Sequence, residues 1–178
     1  MKKVLIGVVV AAIAAAGGSL IHPFGTLASS RNHQTILQGA QIDPATLALV
    51  RRACQNCHSQ QTVWPWYSRI APASWLLERD VQQARLQMNL SRWQDYSPDD
   101  HLRLLSEIGS AVKNREMPVQ RYLLLHPEAR LTDAEREQIY RWTRTERSRI
   151  GVRETGSLQA FPPLNTTNKV TPYTVYIR

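Results

Sequence analysis

The chain has two cysteines, Cys54 and Cys57, and the residue after the second is His58. Thiols two residues apart beside an imidazole fit the attachment pattern of haem c, in which both sulfurs add to porphyrin vinyl groups and the histidine ligates iron. On a helix, positions 54, 57 and 58 are separated by three and four residues and so lie on one side, where they can meet a single flat cofactor. Three other chemistries use a similar pair. A thioredoxin-like dithiol wants a βαβ setting, a structural zinc site needs four closed ligands, and a disulfide over so short a loop constrains little.

A haem iron held by His58 has a second axial position. Met117, next to Pro118, falls in the loop after a predicted helix and is the expected sixth ligand, giving His58 and Met117 as the metal pair. Met88 falls on an apolar helical stripe and reads as core. His101, in a polar first turn, and His126, before Pro127, are the competing ligands. The aromatic loop Trp64-Pro65-Trp66-Tyr67 reads either as ordinary core or as a wall keeping water from the cofactor, with Tyr67, Arg69 or Trp93 as candidate donors to a propionate.

The elements that must position these groups read as helices. Asp43-Pro44 is an N-cap with proline at the first helical position, opening a helix that closes on the motif. A second helix begins near Pro72, with Leu77, Val81, Ala84 and Met88 on one stripe. Ser97-Pro98-Asp99-Asp100 starts a third, with Leu102, Leu105, Ile108 and Val112 on its apolar face, and Thr132 with Glu135 forms the capping box of a fourth running toward Ile150. The expected fold is all-α: a small cytochrome c-like domain of about four helices around one haem.

Ahead of this domain, Met1-Lys2-Lys3 and an apolar run from Val4 to Ile21 read as a signal peptide or, preferentially, a transmembrane anchor, with the remainder of the chain outside the cytoplasm. The expected organisation is anchor or signal peptide over 1–21, tether over 22–42, haem domain over 43–150, and an extended tail over 151–178. A formal net charge of +8 suits an acidic redox partner or an anionic lipid surface, and Arg141, Arg144 and Arg147 form a basic stripe on the last helix that reads as a docking face or simply a solvated one. Nucleic acid is a poor partner, because no interleaving of basic and aromatic residues marks a nucleic-acid module.

Taken together, Cys54-Gln55-Asn56-Cys57-His58-Ser59, Trp64-Pro65-Trp66-Tyr67-Ser68, Ile70-Ala71-Pro72, Ser74-Trp75-Leu76, Asn89-Leu90-Ser91-Arg92-Trp93, Met117-Pro118 and His126-Pro127-Glu128-Ala129-Arg130-Leu131 make the chain, over about 22–145, resemble the bacterial haem-binding domain proteins, small membrane-anchored c-type cytochromes. The resemblance implies one covalent haem c on an all-α cytochrome-like fold, with His58 proximal and Met117 distal. Val119-Gln120 after Met117-Pro118, and the tail beyond Gly151, depart from the family pattern. The expected activity is one-electron transfer by a monohaem c-type cytochrome at the outer, periplasmic face of the cytoplasmic membrane, a carrier rather than a substrate-converting enzyme. The alternative is a haem-based sensor or peroxidase-like enzyme with a displaceable distal ligand.

Overall fold

A computed structural model describes residues 1–24 and 35–159, with residues 154–159 as backbone only. The described residues form six α-helices: α1 (Lys2–Gly18), α2 (Pro44–His58), α3 (Ala73–Gln87), α4 (Pro98–Lys113), α5 (Gln120–Leu123) and α6 (Asp133–Gln159). Short 3₁₀ turns cover Trp66–Arg69, Leu90–Asp95 and Pro127–Ala129. The fold is all-α, as expected, and the helix starts are where local chemistry puts them. Asp43 accepts from Thr46 N at 2.9 Å, and Ser97 Oγ accepts from Asp100 N at 3.1 Å. Thr132 and Glu135 close a reciprocal box, Thr132 N donating to Glu135 at 2.7 Å and Glu135 N to Thr132 Oγ1 at 3.3 Å.

The core lies between α4 and α6. Leu104, Leu105 and Val112 of α4 pack with Ile139, Trp142 and Ile150 of α6, joined by Val50 of α2 and by Leu90 and Trp93 of the second 3₁₀ turn. Gly109 lets the two helices approach closely, since a Cβ there would stand 2.6 Å from Thr143 Oγ1.

Three expectations are corrected. The apolar N-terminal run does not form a membrane-spanning helix: α1 has 17 residues, about 25 Å at the α-helical rise, against a hydrocarbon core of roughly 30 Å. It ends at Gly18, with Ser19 folding its N–H and hydroxyl back onto Ala15 O, so Leu20 and Ile21 fall outside it. No described helix is long and apolar enough to cross a membrane, which overturns the anchor and the inner-membrane location that rested on it. The residues after α1 run onto the N-terminal end of α3. Ala71 N donates to Ser19 Oγ at 3.0 Å, Trp75 Nε1 to Ile21 O at 2.8 Å, and His22 Nδ1 lies 2.6 Å from Glu78 Oε1.

The expected tether, second, belongs in its last part to the core. Residues 25–34 lie outside the described residues, but Ile36 and Leu37 are buried at 2% and 3% exposure. Leu37 N donates to Leu90 O at 2.9 Å, Gln41 N to Glu146 Oε1 at 3.0 Å, and Trp142 Nε1 to Gln41 O at 2.9 Å. Third, the tail does not become extended at Gly151, because α6 continues to Gln159; residues 160–178 lie outside the described residues.

Candidate haem site

The last turn of α2 carries the motif. Thr46 and Val50 bury the helix against the core, and Cys54, one turn before the end, packs at the edge of the apolar cluster. Cys57 and His58 face a cavity of about 310 Å³ lined by the end of α2, by α3, by the aromatic loop and by the segment through α5. Burial, with Cys57 nearby, pushes the Cys54 thiol up to about 12; Cys57 is raised chiefly by burial and then by Asp80. Both are therefore protonated thiols near neutral pH.

His58 is set by its surroundings. Its Nδ1 is 3.1 Å from Ala84 O and 3.3 Å from Met88 O. Carbonyl oxygens only accept, so Nδ1 bears the proton and Nε2 keeps the lone pair. Burial lowers the imidazole below its ordinary range and keeps it neutral, the form that ligates a metal. A backbone acceptor on one ring nitrogen is the usual support for a metal ligand on the other.

Met117 lines the same cavity. Its loop is held by Arg136, a buried arginine of α6 whose Nη1 donates to Val112 O at 2.9 Å and Met117 O at 3.1 Å. Trp64, Tyr67 and His126 also line it, and the α3 stripe Leu77, Val81 and Ala84 forms a wall. Met88 lies off the cavity, part-buried against the core. Arg69 and Trp93 are not among the lining residues: Arg69 is exposed at the end of its 3₁₀ turn, and Trp93 is a core side chain at 2% exposure. His101 places Nε2 2.9 Å from Trp93 O, away from the cavity. His126 has both ring nitrogens engaged, Nδ1 2.9 Å from Glu128 Oε1 and Nε2 2.7 Å from Tyr67 Oη.

Motif spacing gave no sign of the side chains that hold the walls. Asn56, inside the motif, donates Nδ2 to Tyr122 Oη at 3.0 Å, while its Oδ1 accepts from Val63 N at 3.1 Å and its carbonyl from Thr62 Oγ1 at 2.6 Å. Arg85 of α3 donates Nε to Ser59 O at 2.8 Å and Nη2 to Thr62 Oγ1 at 2.9 Å, fixing the turn after His58. The one available signal was the setting of Asn56, a polar residue inside the motif on the helix face that lines the cavity.

An all-α domain whose motif helix ends at an apolar-walled cavity, with an imidazole lone pair and a thioether on the lining, defines a helical cofactor-binding protein. The donor set fits haem: nitrogen and sulfur ligands for iron and a thiol on the same wall. The family model described as a haem-binding domain matches residues 15–145, and the chain belongs to that family. No curated protein and no solved structure matches the chain. Haem is thus the cofactor of this domain. Among the described residues no group of three or more His, Cys, Asp or Glu is arranged to hold a metal ion.

Proposed function

We propose that the protein is a monohaem c-type cytochrome that carries one electron at a time. The observation that carries this reading is the tautomer of His58: Nδ1 bonded to Ala84 O and Met88 O, with the Nε2 lone pair left for iron in the cavity that Cys57 and Met117 also line. Haem bound here supplies an iron that alternates between ferric and ferrous.

The chain's residues do the rest. Cys54 and Cys57 would hold the haem covalently, each thiol supplying the sulfur and the hydrogen of one thioether linkage, so no oxidant would be consumed. His58 and Met117 would hold the iron, and a methionine thioether would favour its reduced state. Arg136 and Asn56 hold their respective ligand-bearing segments in place, which limits rearrangement on electron transfer. The exposed stripe Arg141, Arg144 and Arg147 suits docking of an acidic redox partner.

The test is chemical. Protein matured with a working cytochrome-assembly system should keep its colour through acidified acetone, and Cys54→Ala with Cys57→Ala should lose it. The ferric protein should carry a sulfur-to-iron charge-transfer band that Met117→Ala removes. Colour extracted from the wild type sinks covalent attachment; a high-spin resting spectrum that takes up carbon monoxide at once sinks the electron carrier in favour of a sensor or enzyme.

A further inference from the structure

At the cavity wall, three side chains from two 3₁₀ turns and the cap of one of them form one hydrogen-bonded line. Glu128 Oε1 is 2.9 Å from His126 Nδ1, and His126 Nε2 is 2.7 Å from Tyr67 Oη. The His126 ring also stacks on Tyr122, centroids 4.2 Å apart and planes 16° from parallel. A carboxylate only accepts, so Nδ1 carries the proton and the lone pair of Nε2 receives the Tyr67 hydroxyl. His126 and Tyr67 both line the cavity that holds His58 and Met117, while the Glu128 side chain is 63% exposed. The line therefore joins the cofactor site to solvent.

We propose that this line couples proton binding to the electron: His126 binds a proton at Nε2 more tightly while the site holds the electron, and less tightly once the electron leaves. This rests on the electron-carrier reading above. The electron comes from the redox partner and reduces iron from ferric to ferrous, while the proton comes from water. In each molecule that takes up the proton one N–H bond forms, Tyr67 turns its hydroxyl to accept from it, and the proton's charge offsets that of the electron.

The surrounding charges single out His126 as the group that switches. Glu128 is held below the usual carboxylate range by its own backbone N–H and by His126, so it stays anionic beside the ring. Tyr67 and Tyr122 are raised, chiefly by burial, and stay neutral phenols. Arg121, also on the wall, is paired with Asp80 at 2.9 and 3.1 Å. From α2, Cys57 becomes an uncharged thioether in this reading, and Arg52 is bound to Glu135 at 2.7 Å and to Arg130 O at 3.4 Å. A cavity of this size is on the order of 10 Å across, and one added electron at that range changes proton affinity on the order of tenfold at the effective dielectric of a half-buried site.

The midpoint potential of the haem-loaded protein, measured by spectroelectrochemistry from about pH 5 to pH 9, is the test. In the wild type the reduction equilibrium should fall with rising pH, by up to about threefold per pH unit between the two titration points and about tenfold in all. His126→Gln should flatten this segment. Glu128→Gln, a surface change, should move it to lower pH by about tenfold in proton concentration. A curve in His126→Gln that matches the wild type, with covalent colour and helix content intact, overturns the proposal and assigns the proton to the cofactor's own carboxylates; an unmoved curve in Glu128→Gln overturns it too. Loss of colour from the wild type in acidified acetone would instead reject the cytochrome reading itself.

Discussion

The α4–α6 half of the domain and the half made by the end of α2, α3 and α5 are held together in different ways. In the first, Leu104, Leu105 and Ile139 are fully buried by other parts of the same chain, and Gly109 brings two helix backbones close. In the second, Val63, Trp66 and Leu125 stay 72%, 77% and 65% exposed, and the walls are set by polar side chains reaching backbone atoms. The contrast separates two tasks. Apolar packing supplies stability without directional preference, whereas directional hydrogen bonds fix ligand positions at modest net gain.

The largest expected effect that would break this contrast is on the packed side. Leu105→Ala should cost about 2–5 kcal/mol in denaturant unfolding, while Leu76→Ala at the cavity lip should stay within about 0.5 kcal/mol. Equal losses would show that both halves are cores of the same kind. Next, Arg136→Ala removes two charged hydrogen bonds from a buried site, each worth roughly 1.5–3 kcal/mol. Because one of them holds Met117, the charge-transfer band should weaken as well, and a stability loss with an unchanged band would unlink Arg136 from the ligand loop.

A smaller effect concerns the helix contact. Gly109→Ala gains about 1 kcal/mol of helix propensity but presses a methyl group against Thr143 Oγ1, an overpacking cost of about 1–3 kcal/mol. A net loss should follow, and adding Thr143→Ala should reverse its sign. The smallest is acid sensitivity on the cavity side. Burial depresses the folded-state value of His58, so the unfolded chain binds that proton more readily. The haem-free protein should be at full stability above about 6.5, the ordinary imidazole value, and lose stability as pH falls through the window beneath it. Asp43, lowered chiefly by the Thr46 hydroxyl, and Glu135, lowered chiefly by the Thr132 N–H, give up their contributions only at still lower pH. Thermal unfolding of wild type and His58→Gln across pH checks this, since the first decline should be missing from the variant.

What the sequence made legible follows from range. Helix starts were readable because Asp43 with Thr46, Ser97 with Asp100 and Thr132 with Glu135 act over three residues. Cys57, His58, Trp64 and Tyr67 follow one another closely in the chain, at the end of α2 and in the loop after it, and line one cavity; Met117, which lines it too, comes from the remote loop between α4 and α5. The side chains that hold them escaped notice because their partners are remote: Asn56 and Tyr122 are 66 residues apart, Arg85 and Ser59 are 26 apart, and Arg136 and Met117 are 19 apart. Periodicity also says which face of a helix is buried without saying against what. Hence the α3 stripe through Leu77, Val81 and Ala84 read as core but lines the cavity. The N-terminal run was misjudged for a related reason: apolar composition continues to Ile21, whereas α1 stops at Gly18.

The clasp of Gln41 onto α6 has a practical side. Glu146, 1% exposed, accepts from Gln41 N and is gripped by Arg149, and Ile150 is core. Recombinant fragments cut at the end of the family match, residue 145, would lose all three and release the segment that feeds into α2. Shortened versions intended for crystallisation or spectroscopy should retain at least Ile150.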